Sequence, residues 1–439
     1  MKIILLSGGS GKRLWPVSNN VRSKQFVSLL PSPNGGTESM VQRVVRQIKE
    51  TGLCDSVTVA TGAAQRGMIE AQLGEGVDIV TEPERRDTFP AIALSTSYLT
   101  MEKGCSDDEV VVVMPCDPFA DNGYFATIAK MVEAVKSDSA DLVLMGICPT
   151  YASSKFGYIV PKENEAGKPV MCVAGFTEKP TEQRAAELIK AGALWNGGVF
   201  AFRLGYMRAI AEKYVQAATF AELYGRYGEF PKISFDYEVA EKAKSIAALP
   251  YNGVWRDLGT WNALACELPD NCIGNAVVDN PEAGSQVVNQ LEMPLLCIGT
   301  SNLIVAASAD GILVADKEHC EQLKGFVDQL PQEPRYEEFG WGSIQVVDKS
   351  EFAVTSHVMV RPNAYAQNLC DILHDKIITV VDGNGSAKIG DNVMELKAGV
   401  VVKIPKGTRN YLFTWIYGYM VQDILSDTEI FWLYSRFSG

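Results

Sequence analysis

Short continuous apolar runs separated by helix-like stretches constrain this chain more than any other feature. The runs are Ile3-Ile4-Leu5-Leu6, Val57-Thr58-Val59-Ala60, Val110 to Met114 and Leu142-Val143-Leu144-Met145. Between the first two, Met40, Val41, Val44, Val45 and Ile48 recur at helical spacing behind Ser39, a residue suited to capping. Continuous apolar strands that alternate with helices predict an α/β fold. The expected core is a Rossmann-like, mixed, mostly parallel sheet covered by helices. Ligands of such sheets bind at the carboxyl ends of strands. Two segments leave a strand directly and can therefore meet at one edge: Ser7-Gly8-Gly9 and Pro115-Cys116-Asp117.

The first of these is glycine-dense and then cationic. Gly8, Gly9 and Gly11 allow the backbone to approach a ligand closely, with successive N–H groups aimed at an anion. Lys12, Arg13 and Lys24 follow in the same stretch. A neutral cradle with adjacent cations suits a polyphosphate. Two common glycine motifs do not fit. A Walker-type loop needs Ser or Thr after its lysine, and Lys12 is followed by Arg13. A dinucleotide fingerprint needs glycine three residues after Gly11, where Leu14 stands.

The 439 residues are enough for two or three domains with a large core, and the net charge is −13. That sign disfavours nucleic-acid or anionic-membrane partners, which require a basic surface. No apolar run has the length of a membrane span, and the five-residue apolar start is expected to be a strand and not a leader. Ten cysteines without Cys-x-x-Cys pairs, among them Cys148, Cys172 and Cys297 in apolar runs, read as buried free thiols. They predict a reducing, cytoplasmic setting.

Residues 1–265 form one expected domain. Residues 266–334 turn to short β-prone pieces with a candidate helix near 317–329, and Pro331-Gln332-Glu333-Pro334 reads as a linker. Residues 335–439 are strand-rich, with turns expected at Asp382-Gly383-Asn384-Gly385 and Gly390-Asp391-Asn392, as in a small β-barrel.

The stretch Ser7-Gly8-Gly9-Ser10-Gly11-Lys12-Arg13-Leu14-Trp15-Pro16, with Lys24-Gln25-Phe26 beyond it, resembles the signature Leu-x-Gly-Gly-x-Gly-x-Arg-Leu-x-Pro of sugar-1-phosphate nucleotidyltransferases. Its Trp-Pro and Lys-Gln-Phe variants are similar to the mannose-1-phosphate guanylyltransferase branch, although Ser23 stands where that branch usually has proline. Further segments follow in family order. Glu82-Pro83-Glu84-Arg85-Arg86-Asp87-Thr88-Phe89-Pro90 resembles a nucleotide-side loop and implies nucleotide roles for Arg86, Asp87 and Thr88, although Asp87 or Thr88 would also cap the next helix. Lys155-Phe156-Gly157-Tyr158-Ile159, Phe176-Thr177-Glu178-Lys179-Pro180 and Trp195-Asn196-Gly197-Gly198-Val199-Phe200 resemble the sugar-phosphate segments. They imply that Gly157, Glu178, Lys179 and Asn196 hold that substrate. Asp236 and Tyr237, in a further branch-like segment, are substrate-side candidates.

The resemblance implies GMP transfer from GTP to mannose 1-phosphate, with Mg²⁺ as cofactor. Asp117 and Asp257, the latter in Trp255-Arg256-Asp257-Leu258-Gly259-Thr260-Trp261, are the expected metal ligands, with Arg13 and Lys24 beside them as catalytic cations. Transfer of another nucleotide or hexose, or binding without catalysis, stays open as an alternative. The C-terminal unit resembles the cupin domain of bifunctional relatives in a degenerate form. Gln367 to His374 lacks His-x-His, and Asn410 stands at an expected ligand position after Pro405-Lys406-Gly407. With three histidines in the chain, no metal and no isomerase activity are expected there. The aromatic run Tyr411 to Tyr419 is a candidate homodimer surface.

Overall fold

A computed structural model describes residues 1–9, 11–54, 56–330, 333–366 and 373–425; side chains at 410, 411, 413–419 and 421–425 lie outside the description. The chain divides into two compact units. The first comprises Met1–Gly9, Gln25–Arg66 and Glu75–Gly259, and the second Ser10–Lys24, Gly67–Gly74 and Thr260–Gly439.

A nine-stranded sheet organises the first unit. In spatial order its strands are Asp78–Glu82, Val57–Gly62, Lys2–Ser7, Val110–Pro115, Leu194–Arg203, Leu142–Ile147, Ile246–Tyr251, Met171–Thr177 and Tyr158–Pro161. All run one way except Leu194–Arg203 and Met171–Thr177, which are antiparallel to their neighbours. Leu194–Trp195 also pairs with Tyr158–Ile159, so the last five strands close on themselves. The predicted apolar runs lie at the centre; Ile3, Ile4, Leu5, Val111, Val112, Val113 and Leu142 to Met145 are fully buried. Helix Met40–Glu50 begins with a capping box in which Ser39 and Gln42 satisfy each other's backbone N–H groups. Helix Thr88–Met101 is buried along most of its length, and Phe89, Ile92, Ala93 and Leu94 join one core with Phe202, Phe230 and Phe235.

Registration of the central strands sets the site edge. Leu6 lies opposite Pro115 in parallel pairing, and Cys116 N donates to Leu6 O at 3.2 Å. Gly8-Gly9 and Asp117 therefore leave the sheet side by side at its carboxyl edge.

Within the second unit, short strands stack in parallel. Cys272–Gly274, Gln286–Asn289 and Leu303–Ser308 form one column, Ala276–Val278 and Leu295–Cys297 another, and Gly311–Asp316 folds back antiparallel on the first. The expected helix near 317–329 is a 3-10 turn, Lys317–Gln322, that continues as an α-helix, Leu323–Val327. Eight antiparallel strands then form a single sheet over Val358, Val360, Ile378, Val380, Leu396, Ile404 and Leu412. Gly390-Asp391 is a turn as expected. Asp382 to Gly385 is not: it lies inside the strand Lys376–Ile389 as two register shifts against Asn410–Leu425. Glycine with positive φ (Gly383, 91°) can serve a bulge as well as a turn, and here the long partner strand selects the bulge.

The nine described cysteines are free thiols. Cys297 is buried and Cys148 half-buried, whereas Cys172 is exposed, contrary to expectation, because its strand alternates inward and outward from Met171. The 367–372 part of the expected cupin segment, the chain terminus and the aromatic side chains around Tyr411–Tyr419 fall outside the described residues, although Asn410–Leu425 is a strand. Among the described residues no helix is long and apolar enough to cross a membrane.

Candidate functional site

In the first unit the glycine turn starts from a strand end held by side chains. Thr61 Oγ1 donates to Ser7 O at 3.1 Å, Gln25 Nε2 to Ser7 Oγ at 3.2 Å, and Gln65 Nε2 to Gly9 O at 3.4 Å. Arg85 reaches the same Gly9 carbonyl at 3.3 Å. Sequence reasoning passed over Arg85 in favour of its neighbour. Arg86 donates to Phe230 O at 3.0 Å and pairs with Glu84 at 2.6 Å, so its guanidinium serves the loop itself. Thr88 Oγ1 accepts from Phe235 N at 2.8 Å, while Asp87 accepts from Thr88 N at 2.8 Å and caps the helix.

Asp117 and Asp257 come together through a two-stranded ribbon. Pro118–Ala120 pairs antiparallel with Trp255–Asp257, and Asp257 lies opposite Pro118, one residue from Asp117. At the other end of the ribbon Asp121 accepts from Val254 N at 3.0 Å and Tyr251 Oη at 2.9 Å. Burial acts to raise the Asp121 pKa, but these donors and Gly123 N outweigh it and hold the carboxyl below its usual range. Asp121 thus locks the ribbon and leaves its open end to Asp117 and Asp257, which are half-buried and exposed respectively.

A separate cavity of about 230 Å³ gathers the residues expected on the sugar-phosphate side, Gly157, Glu178, Lys179 and Asn196, together with Asp236 and Asp87. Asp87, a nucleotide-side expectation, is thus placed with this set. Glu178 and Lys179 pair at 3.0 Å, and Lys179 has a left-handed backbone (φ 42°), uncommon for a side chain with a Cβ. Asn196 sits at a register shift in its strand, which turns it out of the ladder. Its Nδ2 donates to Asp236 Oδ1 at 2.6 Å, its Oδ1 accepts from Gly198 N at 3.0 Å, and its backbone N donates to Gly157 O at 2.8 Å. Burial, reinforced by nearby Glu178 and Asp87, pushes the Asp236 carboxyl above its ordinary range, and the Asn196 amide opposes this. Carboxylate and amide acceptors beside one lysine suit a polyhydroxylated anion.

Gly157 is required by the cavity and not by its backbone. A Cβ there would lie 2.4 Å from Glu178 Oε2. Gly157→Ala should displace the Glu178 carboxylate, raising the KM of the substrate expected here, the sugar phosphate, about tenfold, the value of one charge-assisted hydrogen bond, while the melting temperature stays near that of the parent. Thermal melts alongside steady-state kinetics check this.

The remaining expected residues belong to the second unit. Gly11 has φ 62° and precedes the 3-10 turn Lys12–Leu14. Arg13 is exposed and Lys24 half-buried. Lys12 is paired with Asp328 at 2.5 Å.

Residues 2–270, more than half of the chain, match the family model described as nucleotidyl transferase. The chain is 29% identical over 395 residues to the mannose-1-phosphate guanylyltransferase of Escherichia coli, covering 82% of this chain and 81% of that protein. It is 27% identical over 443 residues to the alginate biosynthesis protein AlgA of Pseudomonas putida, covering 92% and 88%. A solved structure described as a mannose-1-phosphate geranyltransferase from Thermus thermophilus superposes with a TM-score of 0.60 at 26% identity, over 75% of this chain and 98% of that one. With the family model spanning the sheet, the aspartate ribbon and the polar cavity alike, this chain belongs to the nucleotidyl transferase family.

Proposed function

We propose that the chain transfers GMP from GTP to α-mannose 1-phosphate, releasing pyrophosphate. The observation that carries this reading is the one cavity shared by Gly157, Glu178, Lys179 and Asn196, whose carboxylate and amide groups stand beside a lysine suited to a phosphate. The choice of mannose and guanosine is supported by similarity to relatives such as the E. coli mannose-1-phosphate guanylyltransferase. Chemically, an oxygen of the sugar phosphate attacks the α-phosphorus in line and pyrophosphate leaves. That oxygen is ionised at neutral pH, so the reaction calls for positioning and charge neutralisation and not for a general base. In this scheme Lys179 holds the incoming phosphate, and Arg13 and Lys24 neutralise the triphosphate.

The donor chemistry of the ribbon end fits Mg²⁺. Asp117 and Asp257 offer hard carboxylate oxygens, and magnesium takes few protein ligands and completes its shell from phosphate and water. When bound there, the ion would supply charge neutralisation to the phosphates.

The C-terminal antiparallel sheet is read as a cupin-like unit retained without metal chemistry. The sequence supports this reading: Gln367 to His374 lacks His-x-His, and Asn410 stands at an expected ligand position. Zinc bound stoichiometrically by the purified protein, with mannose 6-phosphate turnover, would overturn this.

Pyrophosphate release measured over a panel of nucleoside triphosphates and hexose 1-phosphates tests the main reading. GTP with mannose 1-phosphate should give the highest kcat/KM; equal or better turnover with ATP, UTP or dTTP would remove the guanylyl assignment. In the same assay Lys179→Ala should raise the sugar-phosphate KM about tenfold or more, with the nucleotide KM little changed. An unaltered sugar-phosphate KM would reduce the Glu178-Lys179 pair to a strand end.

A further inference from the structure

Lys12 stands among the cations of the glycine stretch, yet in the structure its ammonium is already committed. Its Nζ lies 2.5 Å from Asp328 Oδ1, and the lysine side chain is only 21% exposed. Asp328 caps the carboxyl end of helix Leu323–Val327, which packs against the turn Lys12–Leu14, with Leu14 and Val327 both buried. The same loop is pinned at further points by residues far along the chain. Asn19 Nδ2 donates to Asp310 Oδ2 at 2.6 Å, and Asp310 is itself fixed by Arg335 N at 2.7 Å. Ser308 Oγ donates to Pro16 O at 2.6 Å and Trp261 Nε1 to Trp15 O at 3.0 Å. Gly311 faces the Trp15 ring so closely that a Cβ would lie 2.5 Å from it. Arg22 stacks over Tyr336, 5.4 Å from the ring centroid.

Arg13 and Lys24 lie in this pinned segment, and Arg13 immediately follows Lys12 in the same 3-10 turn. The family signature demands glycine before Lys12 and arginine after it but leaves the Lys12 position open, so the family pattern requires no cation there. We propose that Lys12 is a positioning residue: its ion pair with Asp328 latches the turn that carries Arg13 to the stacked-strand segment. This inference rests on the reading of Arg13 as a triphosphate-binding group. It gives the 260–336 stretch a function in the reaction, as the frame on which the cationic half of the glycine loop is held.

The test is a double-mutant cycle with Lys12→Met and Asp328→Asn in the full-length chain. Two measurements are made: steady-state kinetics with GTP and mannose 1-phosphate, and amide hydrogen exchange over residues 11–18 of the free protein. Each single variant should lower kcat about three- to fivefold, the range expected for a solvent-accessible ion pair. The sugar-phosphate KM should stay unchanged. The double variant should be no worse than either single one, and Lys12→Arg and Asp328→Glu should stay near the parent. Exchange over residues 11–18 should rise equally in all three charge-removed variants. A raised GTP KM in Lys12→Met with a silent Asp328→Asn, in kinetics and exchange alike, would make Lys12 a nucleotide ligand and overturn the latch. Additive effects would overturn it too. If the parent turns over no nucleotide and sugar-phosphate pair, the proposed function fails, and the exchange data alone decide the latch.

Discussion

Asp117→Asn and Asp257→Asn should each lower kcat about 10²- to 10³-fold, the largest single-residue losses expected in this protein. The ribbon Pro118–Ala120 with Trp255–Asp257 puts the two carboxylates at its open end, while Asp121 closes the other end. Each substitution removes one unit of negative charge from the proposed metal position and leaves a neutral amide of the same shape. A metal ion at transferring phosphates contributes several kcal/mol of charge stabilisation, and half or more of that should vanish with either ligand. Neither carboxylate is buried, so the fold should tolerate the change, and melting temperatures should stay within a few degrees of the parent, roughly the spread of surface substitutions. Chelator should abolish turnover in the parent, with Mg²⁺ restoring it. Either variant retaining full activity with ordinary metal dependence would remove the assignment.

Gly11→Ala is expected to cost about 10²-fold in kcat/KM for the nucleotide, by a different route. Two independent penalties meet at this residue. Its φ of 62° is a left-handed conformation that costs a residue with a Cβ roughly 1–2 kcal/mol. A Cβ would also lie 1.9 Å from the Asn19 carbonyl oxygen, a backbone atom. Asn19 cannot simply step aside. Its amide is held by Asp310, and its own side chain accepts from Val21 N at 2.9 Å and Arg22 N at 2.7 Å. The strain should therefore be relieved by movement of the turn Lys12–Leu14, and a displacement of about 1 Å in Arg13, the proposed triphosphate-binding cation, is enough for a hundredfold loss. Gly8→Ala provides the comparison: nothing lies within 4 Å of a Cβ there and no positive φ is needed. Its effect on the melting temperature should be small. A Gly11→Ala variant with parental kinetics would show that the loop's position is immaterial to the reaction.

The central sheet was legible in the sequence because its information is local. Runs such as Val110 to Met114 and Leu142 to Met145 can be satisfied only where both faces of a strand are covered, and that requirement needs no knowledge of the neighbours. The cap of helix Met40–Glu50 is equally local, since Ser39 and Gln42 satisfy each other within four residues. Family resemblance added the motifs, and with them most of the residues that line the polar cavity.

What the tertiary structure alone decided depends on partners distant in sequence. The parallel stacking of Cys272–Gly274, Gln286–Asn289 and Leu303–Ser308 follows no fixed spacing, so no repeat announced it. Asp382 to Gly385 has the residues of a turn, yet pairing along Asn410–Leu425 makes it a bulge. Asp87 and Asp236, 149 positions apart, line the same cavity as Glu178, and burial there, reinforced by Glu178 and Asp87, raises the Asp236 carboxyl. Lys12 shows the division most directly. Its sequence neighbours led to the expectation of a cation for a polyphosphate, but Asp328, more than three hundred residues away, takes up its charge. Local sequence determined which side chains carry charge and which segments form strands. Which charge meets which partner was determined by long-range packing, because electrostatic pairing depends on distance in space and not along the chain.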